Sequence, residues 1–537
     1  LASPFQAFGR QRPEYCRGRR RLAKSTRLLH LRVRPRQGTT ANPMAHAGEW
    51  VDTKIDGGAA TDTDSQSASD AGDALPPMSV TAETRGSSAS LLSSGELARL
   101  IVRGGAWSLF ISAAGAALSL GAHLTLARIL GVEDYGHYVY ALAWMNVLVL
   151  VAKFELDTAS VRFVGAYAAT EQWSFLRGFL RRSTQIVGGL SVAMALVSAF
   201  AALVLMDRLG RGTALSFIAA SLLLPVTAMG QLKASAMQGL KLVARAQAPN
   251  MVVRPIVFVI GVLVVRYAFD QGVTAPVAIL LQFAATTVAL VLTIRFLRVV
   301  LPNAVRGASE AFDTRYWLRT AAGLLVISGG QIILSTNSDV LVVGSLLGPE
   351  PAGRYGAASQ LAAVVSFGVT AISFIALPVV ADLYAKQAFV KLQGLISQVA
   401  RLGLALSVPV LFVLVVAAKP VLGAFGPAFA DASGLLILLG FDQLVGAIFG
   451  IAGFLLVMTG HQVMAARVIV GCAGLNLALT FTLTPLMGIM GAGLATTITT
   501  LVRSYLLVTR MRKALGLTLA PWRVAAAGPP PGPANAA

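Results

Sequence analysis

The stretch Leu130-Gly131-Val132-Glu133-Asp134-Tyr135-Gly136-His137-Tyr138 returns 217 residues later as Leu347-Gly348-Pro349-Glu350-Pro351-Ala352-Gly353-Arg354-Tyr355. The shared frame is L-G-x-E-x-x-G-x-Y. At the same offset Tyr167 matches Tyr384. Two Gly-containing turns can resemble each other by chance. The matches here keep one spacing and fall in equivalent places along the chain, which argues for an internal duplication.

The regions around the two copies are apolar. The chain has 537 residues, 55% hydrophobic and only 13% charged, with a mean hydropathy of +0.70. A soluble domain carries roughly 25% charged residues, so this chain has too little polar surface to face water alone. Its apolar runs reach the roughly 20 residues that a bilayer crossing needs. They predict helices over 104–126, 136–157, 183–206, 213–234, 249–268, 275–298, 319–344, 354–380, 397–417, 433–458, 463–484 and 488–510. The 52 glycines suit close helix packing in lipid.

The basic residues orient these helices, because cytoplasmic loops accumulate Lys and Arg. Counting loops and adjoining helix ends, one alternate set holds 22 of them, from Arg99 and Arg103 through Arg177, Arg181, Arg182, Lys241, Arg298 and Arg306 to Arg512 and Lys513. The other set holds 6: Arg128, Arg208, Arg211, Arg266, Arg354 and Lys419. The alternation never breaks, so both termini are expected in the cytoplasm. The duplication divides twelve helices into two six-helix blocks. Six is even, so the blocks run the same way. The expected fold is all-α: a polytopic membrane protein of about twelve transmembrane helices, in two parallel six-helix lobes around a central cavity.

The expected organisation is an N-terminal cytoplasmic extension over 1–96, an N-lobe over 97–300, a cytoplasmic linker over 301–318, a C-lobe over 319–512 and a tail over 513–537. The extension is Arg-rich from Arg10 to Arg36 and acidic from Asp52 to Asp73, without apolar periodicity, and should be disordered. Translation from Met44 or Met78 would leave residues 1–43 outside the protein; a basic tail lying on anionic lipid is the functional alternative. The net charge of +20 does not point to nucleic acid, since the cations sit in short segments between apolar runs. Cys16 and Cys472 are too few for a disulfide framework. No P-loop, H-E-x-x-H, nucleophile elbow or Cys/His metal cluster occurs, so neither an enzyme nor a cofactor is expected.

Polar side chains inside apolar helices are costly, and each requires a partner, a wet cavity or a function. Asp442 and Gln443 sit mid-helix. Gln331, Ser335 and Asp339, spaced i, i+4, i+8, form a stripe on the predicted seventh helix. Arg254, five residues into the predicted fifth helix, would suit a pyrophosphate; snorkelling to the interface is the bland alternative. His123 lies in the first helix, as packing or proton relay. Lys153 and Asp157 are an i, i+4 pair at the end of the second. Cavity lining by Arg254, Gln331, Ser335, Asp339, Asp442, Gln443 and His123 is the functional reading; helix–helix polar packing is the structural one.

The segment Leu126–Tyr138, Val161-Arg162-Phe163-Val164 up to Tyr167, Asp339–Gly344 with Gly353-Arg354-Tyr355, and Pro485–Gly493 together resemble bacterial polysaccharide biosynthesis proteins, the oligosaccharide flippases of the multidrug/oligosaccharidyl-lipid/polysaccharide exporter superfamily. The resemblance covers roughly 100 to 510. It implies a V-shaped pair of lobes that flips a polyprenyl-pyrophosphate-linked glycan across the bacterial cytoplasmic membrane by alternating access. Glycan polymerase and export machinery would be its partners. It also implies coupling to an ion that varies across the superfamily, Na+ or H+. A drug or small-molecule/cation antiporter of the same superfamily is the alternative. A membrane-embedded polymerase fits less well, because the outer loops are short.

Overall fold

A computed structural model of the protein describes residues 94–268 and 272–517. The extension before residue 94, most of the tail, and Cys16 lie outside the described residues. No strand occurs among those described.

The helix Ser94–Lys153 is two rods joined at Gly131, whose φ of 76° and ψ of 179° leave the helical region: α1 (94–130) and α2 (132–153). Eight further rods follow: α3 (Trp173–Val204), α4 (Arg211–Gly239), α5 (Val243–Ala268), α6 (Ala275–Val300), a seventh in two pieces (α7, Thr314–Ile333 and Thr336–Leu347), α8 (Pro349–Ala385), α9 (Phe389–Val416) and α10 (Ser433–Met458). The last two are α11 (Gln462–Met487) and α12 (Ile489–Leu515). By length and composition 8 described helices can cross a membrane, or 9 if the bent halves of α7 are one span. Separating α1 from α2 and adding the long α8 and α12 gives the expected twelve.

Lipid-facing character shows at the periphery. Phe200 on α3 is 69% exposed and Phe412 on α9 is 67% exposed. An apolar belt of this kind is stable only in hydrocarbon. Inward, α3 buries Leu176, Phe179, Ser183, Val187 and Ser191, a helical-period stripe.

The duplicated turn is where the lobes meet. Gly131 and Gly348 are equivalent and share a conformation that strongly favours glycine, the second with φ 95° and ψ −178°. Gly136 and Gly353 are equivalent too, and they face each other across the lobe boundary. A Cβ on Gly136 would stand 1.9 Å from the Pro349 carbonyl oxygen; one on Gly353 would stand 2.6 Å from that of Val132. Val132 and Pro349 are themselves equivalent, so the contact is reciprocal, as a two-fold axis requires. One helical turn on, a Cβ on Gly356 would lie 2.7 Å from Cγ1 of Val139, its own equivalent. A pseudo-two-fold axis therefore passes between α2 and α8. The same Lys/Arg-poor end is closed further by Arg128 donating to the Ala424 carbonyl and by the edge-on contact of Tyr135 with Phe429, centroids 5.7 Å apart.

At the opposite end the link between lobes is strapped to α3. Arg177 donates to the carbonyls of Arg306 (2.5 Å) and Ala308 (2.9 Å), and Arg181 donates to Glu310 (2.6 Å). Ala311 N–H donates to Ser174 O, and Gly178 lets the strap lie flat: a Cβ there would be 1.9 Å from Ala311 O. The hydrogen bond from Arg181, with its charge and that of Arg177, holds the Glu310 carboxyl below its ordinary range. A depressed carboxylate stabilises the folded strap at neutral pH and loses that contribution as pH falls through the folded pKa. Gly178→Val should expel the strap and Glu310→Gln should loosen it. Faster amide hydrogen exchange over 303–313 is the expected reading, larger for Gly178→Val.

The sequence predicts one continuous seventh helix over 319–344, and the structure corrects this. The two halves meet at 57°. Ser335 is extended (φ −98°, ψ 160°) and its hydroxyl donates to Ile332 O at 2.6 Å. The run Ser335-Thr336-Asn337-Ser338 supplies short polar side chains that compete with the backbone ladder, and there the helix breaks. The fifth helix also begins earlier than 249, at Val243, and crosses a π-helical turn at Pro249–Val253.

Candidate functional site

Two polar constellations are built into the bundle, one in each lobe. In the N-lobe, Arg254 follows the π turn. Because α5 starts at Val243, Arg254 is about 16 Å along the helix from its Lys/Arg-rich end, at about 1.5 Å per residue. That is deeper than the sequence-predicted helix placed it, and it weakens the snorkelling reading. Pro249 opens the π turn and Pro255 follows Arg254. Pro255 has no N–H to donate to the Met251 carbonyl, and Gly115 of α1 backs onto that freed carbonyl, where a Cβ would stand 2.9 Å away.

Arg254 lines a cavity of about 40 Å³ with Ser119, Ala122 and His123 of α1, Tyr138 of α2, Pro255 and Phe258 of α5 and Gln282 of α6. No acidic residue lines it. Among the described residues Arg254 has no hydrogen-bond or ion-pair partner. His123 is half-buried and its Nδ1 is 3.0 Å from the Tyr135 hydroxyl. Tyr138 stacks on Phe258 at 6.3 Å. A fixed cation without a counter-ion among the described residues, beside polar side chains in an apolar bundle, has the chemistry to hold an anion. At this volume the cavity holds water and no more, so a phosphate headgroup needs it to widen.

In the C-lobe, Asp339 lies in the first turn of the second half of α7, where the helix dipole favours a carboxylate. Its Oδ2 accepts from Tyr355 (2.8 Å) and from Thr496 (2.9 Å). Asn476 donates to Thr496 at 3.4 Å. Asp442 of α10 lies beside Thr500 and within electrostatic reach of both Arg503 and Asp339. Asp339 Oδ1, Asp442 Oδ1, Asn476 Oδ1, Thr480 Oγ1 and Thr499 Oγ1 are all buried without a partner. So many orphaned oxygens beside two carboxylates call for a cation, a proton or water.

The other sequence-predicted residues divide. Gln443 is half-buried next to Asp442, while Gln331 is exposed on the first half of α7. Ser335 sits extended at the break, so Gln331, Ser335 and Asp339 do not form one stripe. Lys153 and Asp157 do pair, at 2.7 Å. Tyr138 and Tyr355 also face the two constellations, and the signal for them in the sequence is that both close the repeated frame. Asn476, Thr480 and Thr484 are legible only as an i, i+4, i+8 spacing that marks one polar face of α11.

A duplicated twelve-helix bundle, with an arginine cavity in one lobe and two buried aspartates in the other, has the build of a polytopic membrane transporter. The chain belongs to the polysaccharide biosynthesis protein family, whose model matches residues 101–384. A curated relative, the probable low-salt glycan biosynthesis flippase Agl15 of Haloferax volcanii, is 28% identical over 169 residues, 31% of this chain and 36% of that protein. The chain thus matches about a third of that relative's length. Among solved structures, an inward-facing multidrug resistance MATE family transporter of the MOP superfamily aligns with a TM-score of 0.61 at 13% identity, over 74% of this chain and 94% of the other. The lipid II flippase MurJ in an inward closed conformation aligns at 0.59 and 14% identity, over 75% and 87%. At these identities the structural likeness establishes the fold.

Proposed function

We propose that this protein flips a lipid-linked oligosaccharide precursor, carried on polyprenyl pyrophosphate, across the bacterial cytoplasmic membrane by alternating access. The observation that carries this reading is Arg254: an arginine deep in the N-lobe, partnerless among the described residues, in a cavity without acid. A diphosphate bridging sugar and isoprenoid is the anion such a site would read. The family membership and the Agl15 match support the same cargo class. The contacts between Gly136 and Gly353 close the Lys/Arg-poor end, which suits a state loaded from the cytoplasm, with both termini on that side. Deleting the gene should abolish the surface glycan and leave drug susceptibility unchanged; increased drug susceptibility with intact glycan would favour an antiporter instead.

The carboxylate cluster of the C-lobe is the proposed coupling site, for Na+ or H+. A discontinuous helix near a repeat interface is a recurrent place for such ions. Asp339→Asn and Asp442→Asn should each abolish stimulation of transport by an imposed Na+ or proton gradient, while cargo binding measured without a gradient stays within about twofold. Undiminished stimulation in both variants would remove the cluster from coupling.

A further inference from the structure

A cleft larger than the Arg254 cavity lies outside both constellations. It has a volume of about 620 Å³ and runs between the Lys/Arg-rich halves of α11 and α12. Its walls are Val463, Val468, Leu475, Val502 and Leu506, with Met464 and Cys472. Its mouth carries Arg467, Arg510 and His461. Among the described residues neither Arg467 nor Arg510 has a hydrogen-bond or ion-pair partner, and both are exposed. Val463, at the lip, is 60% exposed although it is apolar.

We infer that this cleft is a binding site for an anionic phospholipid of the surrounding bilayer leaflet. Charge and shape decide the class of ligand. A purely apolar occupant leaves the two guanidinium groups unused. A soluble anion leaves the apolar walls uncovered. An amphiphile with a phosphate head and a hydrocarbon chain satisfies both, and basic pockets between transmembrane helices bind anionic head groups in this way. The volume lies in the range of about 300–1,000 Å³ usual for bound small molecules, which accommodates part of one acyl chain. The position argues for a lipid of the bilayer over the carrier lipid of the proposed cargo, because no residue of the Arg254 cavity or of the Asp339 cluster lines the cleft. Seated there, the lipid would staple α11 to α12, the two helices that supply Asn476 and Thr496 to the carboxylate cluster.

The test is native mass spectrometry of the full-length, delipidated protein titrated with phosphatidylglycerol, with phosphatidylcholine of the same chains, and with undecaprenyl phosphate. Phosphatidylglycerol should bind in one saturable copy, at least tenfold tighter than phosphatidylcholine. Arg467→Gln/Arg510→Gln should weaken it about thirtyfold, at roughly a kilocalorie per basic side chain. Arg512→Gln, on an exposed neighbour outside the cleft, should change nothing. Leu506→Trp keeps both cations but fills the apolar wall, and should also expel the lipid; it guards against a double variant that fails to fold. Equal retention in the double and Leu506→Trp variants, or equal affinity for phosphatidylcholine, overturns the proposal. Preference for undecaprenyl phosphate also overturns it, by giving the cleft to the carrier lipid. Loss of lipid binding with transport intact leaves the flippase reading standing.

Discussion

Replacing Arg254 by Ala is expected to weaken binding of a polyprenyl-pyrophosphate oligosaccharide by about tenfold to a hundredfold, with insertion and helix content unchanged. The magnitude follows from a hydrogen bond to a charged group, worth about 1.5–3 kcal/mol, at about 1.4 kcal/mol per tenfold. The fold should tolerate the change because Arg254 has no partner among the described residues to be stranded by its loss. A structural arginine would behave oppositely: its removal would orphan a carboxylate and cost stability. Arg254→Lys keeps the charge but loses the planar, two-pronged donor geometry, and should recover only part of the affinity. Binding measured by calorimetry in detergent, with thermal stability measured in parallel, separates these cases. Unchanged affinity with a lowered melting temperature would make Arg254 a packing residue.

Gly136→Leu is expected to shift the protein away from the state in which the Lys/Arg-poor ends are sealed. The atom a Cβ would meet is the Pro349 carbonyl oxygen, 1.9 Å away. Backbone cannot swing aside as a flexible side chain can. Overpacking of this kind costs about 1–3 kcal/mol, which corresponds to a 5- to 150-fold change in the ratio of sealed to open states. Because Gly136 and Gly353 share one contact, Gly353→Leu should do nearly the same, and the double variant little more than either alone. Accessibility of cysteines introduced beside Tyr135 and Phe429 to a membrane-impermeant thiol reagent would measure it, in a background lacking Cys16 and Cys472. Accessibility equal to that of wild type in both single variants would show that the lobes do not part there.

Most of the architecture was legible in the sequence because it rests on two long-range periodicities. Alternating loop charge counts helices irrespective of where each one ends, and the repeat fixes their grouping. Helix ends were less legible. Hydropathy starts the third helix at 183, because the arginines of Trp173–Arg182 lower it, yet Arg177 and Arg181 hold the strap at Arg306, Ala308 and Glu310. The break in α7 is written in Ser335-Thr336-Asn337-Ser338, but a hydropathy window averages across four such residues. In the candidate site, single charges such as Asp339, Asp442 and Arg254 stand out against apolar surroundings. Threonines do not, since a hydroxyl in a membrane helix can bond its own backbone, as Thr286 and Thr293 do here. Only packing shows that Thr496 instead reaches Asp339.

The most direct test is reconstitution of the purified full-length protein into liposomes with a fluorescent polyprenyl-pyrophosphate oligosaccharide. The fraction accessible to a membrane-impermeant quencher or glycosidase would be followed over time. The prediction is rapid exchange between leaflets with wild-type protein and exchange about tenfold to a hundredfold slower with Arg254→Ala. Wild-type exchange no faster than in protein-free vesicles, under imposed Na+ and proton gradients of either sign, would contradict the flippase assignment.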